Sequence, residues 1–158
     1  MKEYKQVICI KNYSWDELSE EEKNLIEAAC TATQRSYAPY SHFHVGAAIR
    51  LANGVVVTGT NQENAAYPSG LCAERTALFY ANSEYPDQAV RAIAISARTE
   101  EGFTEKPITP CGACRQVLLE TENRYGAQIR IYLYGTREIL VIESAGSLLP
   151  LSFNEEYL

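Results

Sequence analysis

The segment HVGAAIRLANGVVVTG, residues 44–59, carries the strongest structural signal in this chain. Two apolar runs, 44–51 and 55–59, flank Asn53 and Gly54, the dipeptide that most favours a tight turn between antiparallel strands. We therefore predict a β-hairpin here. Whatever sheet the rest of the chain forms must include this antiparallel pair.

Helices are predicted on both sides of the hairpin. Capping-box patterns begin at Ser14 and Ser19, and the apolar residues that follow recur at helical spacing until about Gln34. A second helix is predicted over about 72–81, and a third over 111–125.

The remaining apolar runs indicate strands. Residues 92–97 are apolar on both faces, which is typical of a buried strand, and strands are also predicted over 128–134 and 138–142. The order of elements predicts an α/β fold, a three-layer α/β/α sandwich with a mixed sheet of about five strands. The length predicts a single domain spanning residues 1–158.

Composition narrows the classes of function. Hydrophobic residues make up 46% and charged residues 22%, which is ordinary for a globular protein. No apolar run approaches the ~20 residues of a membrane span, and the N-terminal apolar stretch is too short for a signal peptide, so we expect a cytoplasmic protein without a membrane partner. The net charge of −6 argues against binding to a nucleic-acid backbone but leaves a neutral small molecule open.

Cys111 and Cys114 form a C-x-x-C motif at the start of the third predicted helix. Residues three apart lie on one face of a helix, so both thiolates could bind one zinc ion. The motif alone also fits a thioredoxin-type redox pair, or a coincidence of spacing.

Cys72 opens the second predicted helix as Cys111 opens the third. Helix N-termini stabilise thiolates, and three protein ligands with an open fourth position are typical of catalytic zinc. The alternative is a buried helix cysteine. Glu74 favours the catalytic interpretation, because a carboxylate beside a zinc-activated water can accept its proton. This requires Cys72 to lie at the helix cap, since residues two apart point to different sides of an ideal helix.

Several segments besides these cysteines carry a family resemblance. They are YAPYSHFHVGAA (37–48), NQENAAYP (61–68), CAERTA (72–77), PCGAC (110–114) and LLPLSF (148–153). In this order, from about Leu18 to Phe153, the chain resembles the small, homotetrameric cytidine deaminases. The resemblance implies deamination of cytidine and deoxycytidine to uridine and deoxyuridine with release of ammonia, in pyrimidine salvage. Family members start near the first helix, so residues 1–13 are interpreted as an N-terminal extension.

The resemblance also implies roles at the reacting end of the site. Cys72, Cys111 and Cys114 would hold one Zn²⁺ per subunit with its water. Glu74 would take the proton of that water, protonate N3 of the pyrimidine and pass a proton to the departing ammonia. A separate argument from charge concerns Arg75. Three thiolates on a divalent ion weaken the metal as a Lewis acid, and Arg75, next to Glu74, would offset that charge, although it could instead be an exposed helix arginine.

Nucleoside contacts follow from the same resemblance. Asn61 and Glu63 match a ribose-binding pair, although they could instead cap a turn after the second strand. The Ala73 N–H would contact the base carbonyl, and the Thr109 carbonyl would accept from the leaving amino group.

Aromatic residues are expected around the base. Phe43 and Phe153 match aromatics that line the base pocket, although a lone Phe is more often a core residue. Phe153 and Tyr67 would reach the site of a neighbouring subunit, so that a homotetramer shares its active sites.

Three competing functions fit parts of this pattern. A deaminase of a cytosine-nucleoside analogue such as blasticidin S shares the metal signature, but the Asn61 and Glu63 pair and the segment around Tyr67 argue against it. An editor of single-stranded nucleic acid should show a basic groove, which the net charge of −6 disfavours. A non-catalytic zinc or thiol module would leave Glu74 without a purpose.

Overall fold

The structure, a computed structural model, describes residues 1–158. Its three α-helices are α1 (Glu20–Ala32), α2 (Ala73–Glu84) and α3 (Gly112–Tyr125). Its strands are β1 (Lys11–Tyr13), β2 (His44–Leu51), β3 (Val56–Thr60), β4 (Val90–Thr99), β5 (Gly102–Phe103), β6 (Arg130–Tyr134) and β7 (Ile139–Ile142). No helix combines the length and the apolar character that crossing a membrane requires.

One sheet contains all the strands, in the order β1-β7-β6-β4-β2-β3, with β5 beside β4. Strands β2 and β3 form the predicted hairpin, and β4 and β6 form a parallel pair connected through α3. The predicted mixed sheet is confirmed, but it has seven strands rather than about five. The additional strands, β1 and β5, are three and two residues long, too short to show the alternation by which a strand is recognised.

The helices cover both faces of the sheet, which confirms the three-layer sandwich. Successive residues of β2 point to opposite faces. Ala48 packs in a cluster with Leu25 and Ile26 of α1, whereas Ile49 packs in the larger cluster that contains Leu78 of α2. The larger cluster also includes α3, so α2 and α3 share one face.

Helix α2 approaches β3 at backbone distance. A Cβ atom placed on Gly59 would lie 2.5 Å from the Ala77 nitrogen and 2.6 Å from the Ala73 carbonyl oxygen. These distances are too short for any side chain, so the glycine lets the helix that begins beside Cys72 lie against the sheet.

The helix starts follow local signals. Ser19 and Glu22 form the predicted capping box of α1, with the Glu22 carboxylate accepting from the Ser19 N–H at 2.8 Å. The pattern at Ser14 begins a short 3₁₀ helix instead of an α-helix. Cys72 and Cys111 are the N-cap residues of α2 and α3, each with extended backbone angles.

Candidate active site

Three cysteine sulfurs meet where α2 and α3 begin. The Sγ of Cys111 lies 3.7 Å from that of Cys72 and 3.5 Å from that of Cys114, and all three lie within 4.8 Å of one another. Tetrahedral zinc with bonds of ~2.3 Å places its sulfur ligands roughly 3.8 Å apart. The three thiols therefore already have the spacing of a zinc site.

The helix starts also suit this donor set electrostatically. Cys72 and Cys111 lie at the caps of their helices and Cys114 in the first turn of α3, where free N–H groups and the helix dipole stabilise negative charge. Cys114 is buried, Cys72 is half-buried and Cys111 is exposed in the single chain. The cluster is consequently closed on the protein side and open on the other.

The thiols differ in acidity. Hydrogen bonding with Cys114, assisted by the Arg75 guanidinium, lowers the pKa of Cys72 against the opposing effect of burial. The same contact with Cys72, together with burial, raises the pKa of Cys114. Cys72 therefore ionises before Cys114, and a bound metal cation would favour the thiolate form of both sulfurs.

The guanidinium of Arg75 lies beside the cysteine cluster. Its Nη2 atom is 3.8 Å from the Cys72 sulfur, and its Nε is buried without a hydrogen-bond partner in the chain. Contact with Cys72 raises the pKa of the guanidinium further, so Arg75 is a permanent cation beside the thiolates.

Glu74 is almost fully buried, with 4% of its surface exposed. Burial raises the pKa of its carboxyl above the usual range, and the Cys72 charge adds to this effect. Because Cys72 is the cap residue, it lines the same cavity as Glu74, and the condition set by helix geometry is met. A carboxyl with a raised pKa, held next to thiolates, is suited to accept and return a proton.

Two adjacent cavities lie beside the cysteine cluster. The inner cavity, about 280 Å³, contains Glu74 and Cys111 and is walled by Phe43, Val45, Ala73, Ile108 and Thr109. The outer cavity, about 560 Å³, contains Tyr40, Tyr67 and Arg75. Both cavities share Ser41, Asn61, Glu63 and Cys72, so a ligand could reach from the cysteines to the surface.

Asn61 holds the wall of the inner cavity through its side-chain amide. Its Oδ1 accepts from the Val45 N–H at 2.9 Å, and its Nδ2 donates to the Phe43 carbonyl at 2.9 Å. The residue expected to bind a sugar thus also fixes the backbone of the segment that carries Phe43.

Like Asn61, Glu63 both lines the two cavities and holds a backbone segment in place. Its carboxylate accepts from the Tyr40 N–H at 2.9 Å, the Ser41 N–H at 3.2 Å and the Ser41 hydroxyl. The Ser41 hydroxyl, followed by these amides, lowers the pKa of Glu63, so it is ionised at neutral pH. The Ser41 oxygen in turn accepts from the Phe43 N–H at 3.1 Å. Sequence reasoning did not find Ser41, because contacts between residues 41 and 63 leave no local pattern.

Tyr67 and Phe153 are both exposed in the single chain. Tyr67 borders the outer cavity with 84% of its surface exposed. Phe153 is 59% exposed, lines neither cavity and stacks on Tyr157 with ring centroids 5.7 Å apart. Within one chain, therefore, Phe153 does not form part of the pocket around Phe43.

Comparison with known proteins agrees with this geometry. Residues 19–125 match the family model described as the cytidine and deoxycytidylate deaminase zinc-binding region. A curated cytidine deaminase of Halalkalibacterium halodurans is 42% identical over 132 residues, which cover 84% of this chain and 93% of the relative. The chain belongs to the cytidine deaminase family.

Solved structures of the family share the fold. A cytidine deaminase from Burkholderia pseudomallei is 41% identical, with a TM-score of 0.72 over 86% of this chain and 100% of that chain. One from Mycobacterium tuberculosis is 32% identical, with a TM-score of 0.66 over 86% and 99% of the two chains. The cofactor of this zinc-binding deaminase family fits the three-cysteine cluster described above.

Two further residues of this cytidine deaminase family member stand out in the structure. Glu122 is a buried carboxylate near the end of α3 that accepts four hydrogen bonds, and Arg115 contacts the loop before Cys111. Sequence reasoning missed both, because on a helix they look like ordinary charged surface residues.

Proposed function

We propose that this protein is a zinc-dependent cytidine deaminase that converts cytidine and deoxycytidine, with water, to uridine and deoxyuridine and ammonia. The observation that carries the proposal is a buried Glu74 that lines a cavity with Cys72 and Cys111, two of three thiols that have the spacing of a zinc site. Relatives named cytidine deaminases, matched over most of their length, support the same reaction.

Cys72, Cys111 and Cys114 would hold the metal. When bound, zinc makes a water molecule acidic enough to serve as a nucleophile near neutral pH. Glu74 accepts the proton that this water loses on attacking C4 of the pyrimidine and delivers it to N3. It then transfers the second proton to the amino group, so that ammonia rather than an amide anion departs. The raised pKa of Glu74 suits a group that must both accept and return protons.

Backbone groups and one aromatic ring would orient the base. The Ala73 N–H lies in the first turn of α2, where helix amides are free to donate to the base carbonyl. The Thr109 carbonyl would accept from the amino group, and the Phe43 ring would pack against the pyrimidine. All three residues border the inner cavity, which supports this arrangement.

Asn61 and Glu63 would bind the sugar hydroxyls in addition to holding the segment 40–45. A carboxylate oxygen accepts more than one hydrogen bond, so these structural contacts leave acceptor capacity for a ribose hydroxyl. Their position between the inner and outer cavities supports the placement of the sugar there. Arg75 would act on the thiolates rather than on the nucleoside.

We further propose that the enzyme is a cytoplasmic homotetramer acting in pyrimidine salvage, with 1–158 as one domain. The exposed rings of Tyr67 and Phe153 would complete the site of a neighbouring subunit, and their exposure in the single chain supports this placement. Residues 1–13 would be an extension of the family domain, since the family match begins at Ser19.

The direct test follows the ultraviolet change from cytidine to uridine while measuring ammonia and zinc on the same sample. Conversion that scales with zinc content supports the proposal. A zinc-loaded protein that releases no ammonia from cytidine or deoxycytidine contradicts it. Faster turnover of blasticidin S than of cytidine would instead favour the nucleoside-analogue alternative.

A further inference from the structure

The last part of the chain lies along helix α3. We call residues 144–158 the C-terminal segment. At its start, the Glu122 carboxylate accepts from the Ser144 hydroxyl at 2.9 Å and from the Ala145 and Gly146 N–H groups at 2.8 and 3.2 Å. These contacts fix the segment at the C-terminal end of α3.

The segment then returns toward the cysteine end of the same helix. Arg115 Nη1 donates to the Leu148 carbonyl at 3.0 Å, and Gln116 Nε2 donates to the Phe153 carbonyl at 3.0 Å. Both donors directly follow Cys114 in the chain. The C-terminal segment is therefore anchored within one or two residues of a zinc ligand.

Arg115 also contacts the loop of residues 106–110, which precedes Cys111 in the chain. Its Nε donates to the Pro110 carbonyl at 2.8 Å, and its Nη2 lies 3.4 Å from Thr109 Oγ1. Residues 106–110 make no backbone–backbone hydrogen bond, so Arg115 supplies the hydrogen bonds that hold this loop. Pro110 immediately precedes Cys111, the exposed member of the cysteine cluster.

A single guanidinium thus joins two parts of the chain that do not otherwise share a hydrogen bond. Its donors form a rigid planar fork, so they cannot adjust to one acceptor without changing the geometry to the other. Displacement of Leu148 therefore changes the hydrogen bond from Arg115 to Pro110, and displacement of Pro110 changes the hydrogen bond from Arg115 to Leu148.

We propose that Arg115 is a positioning residue that couples the C-terminal segment to the zinc ligand Cys111, so that ordering of the segment and retention of zinc stabilise each other. The coupling is reciprocal, because two equilibria linked through one group shift each other by the same factor. The inference rests on the proposed function only in taking the three cysteines as zinc ligands.

The test measures zinc affinity and segment order without any nucleoside. Arg115→Gln and Arg115→Lys are compared with Arg124→Gln, a control on the same helix whose arginine is exposed. Zinc affinity is measured by competition with a chromogenic chelator, and segment order by amide hydrogen exchange over residues 147–153, with and without zinc.

Zinc affinity of Arg115→Gln should fall about 10- to 100-fold, the usual effect of removing a group that orients a metal ligand. The zinc affinity of Arg115→Lys should fall less, since an ammonium can donate to one of the two carbonyls. The zinc affinity of Arg124→Gln should match that of the wild type. In the wild type, removing zinc should speed exchange over residues 147–153. In Arg115→Gln, exchange should be fast in both states.

Two results would overturn the coupling. One is wild-type exchange over residues 147–153 that does not change when zinc is removed. The other is an Arg115→Gln zinc affinity within twofold of that of Arg124→Gln. The wild-type measurement needs no variant, so it decides the matter even where Arg115→Gln folds poorly. Because no measurement uses cytidine, an absence of deaminase activity would contradict the proposed function without bearing on this inference.

Discussion

Replacing Glu122 with alanine should destabilise the protein more than any other single change of a charged residue on α3. One carboxylate oxygen accepts from the Ile129 N–H at 2.7 Å and the Ala145 N–H at 2.8 Å. Both of these residues are fully buried. The other oxygen accepts from Ser144 and Gly146, which are partly exposed.

The size of the effect follows from which donors water can reach. A buried donor left without an acceptor costs about 1–3 kcal/mol, so the Ile129 and Ala145 amides together cost roughly 2–6 kcal/mol. Water can replace the carboxylate at Ser144 and Gly146. We therefore expect Glu122→Ala to lower the free energy of unfolding by about 3–5 kcal/mol. Glu122→Gln keeps one acceptor oxygen and should lose about half as much.

Urea unfolding followed by circular dichroism measures this loss. Free zinc and protein concentration must be held fixed, because ligand binding and subunit association both raise apparent stability. Glu120→Ala is the matched control, since Glu120 is exposed on the same helix and its loss should change stability by no more than about 0.5 kcal/mol. A Glu122→Ala variant within about 1 kcal/mol of this control would refute the assignment of the two buried amides to Glu122.

Three further predictions concern activity. Glu74→Gln should stay folded and zinc-loaded while turnover of cytidine falls at least ~10²-fold. Glu84→Gln, a control exposed on the same helix, should turn over cytidine like the wild type. Near wild-type turnover by Glu74→Gln would show that Glu74 does not carry the proton. Arg75→Gln should lower kcat more than it raises KM, and adding Cys72→His should partly restore kcat, because imidazole removes one negative charge; a change in KM alone would contradict charge compensation. Mixed oligomers of Glu74→Ala and Phe153→Ala subunits should recover activity, and their inactivity would mean that Phe153 does not serve a neighbouring site.

Local signals in the sequence were sufficient for most of the fold. The turn at Asn53 and Gly54 specifies the hairpin, and the Ser19 capping box specifies the start of α1. The short strands β1 and β5 had no such signal. They form because neighbouring strands β7 and β4 offer free backbone groups, which is a property of the assembled sheet and not of residues 11–13 or 102–103.

The candidate site likewise contains residues that local sequence patterns predict and contacts that such patterns do not predict. The spacing of Cys111 and Cys114, with Cys72 and Glu74 at another helix start, is short-range information, and the structure brings all four residues together. Sequence reasoning could not find contacts between distant segments. The hydrogen bond from the Ser41 hydroxyl to the Glu63 carboxylate, for example, depends on how two loops meet.

Gly59 has an evolutionary consequence. Any side chain at this position would collide with the Ala77 nitrogen and the Ala73 carbonyl, atoms that every amino acid carries. A crowded core residue can be accommodated by shortening its neighbour, but no second substitution removes a backbone atom. Variants at position 59 should therefore lack intragenic suppressors along α2, and a mutational library selected for deamination should retain glycine there while neighbouring core positions diversify.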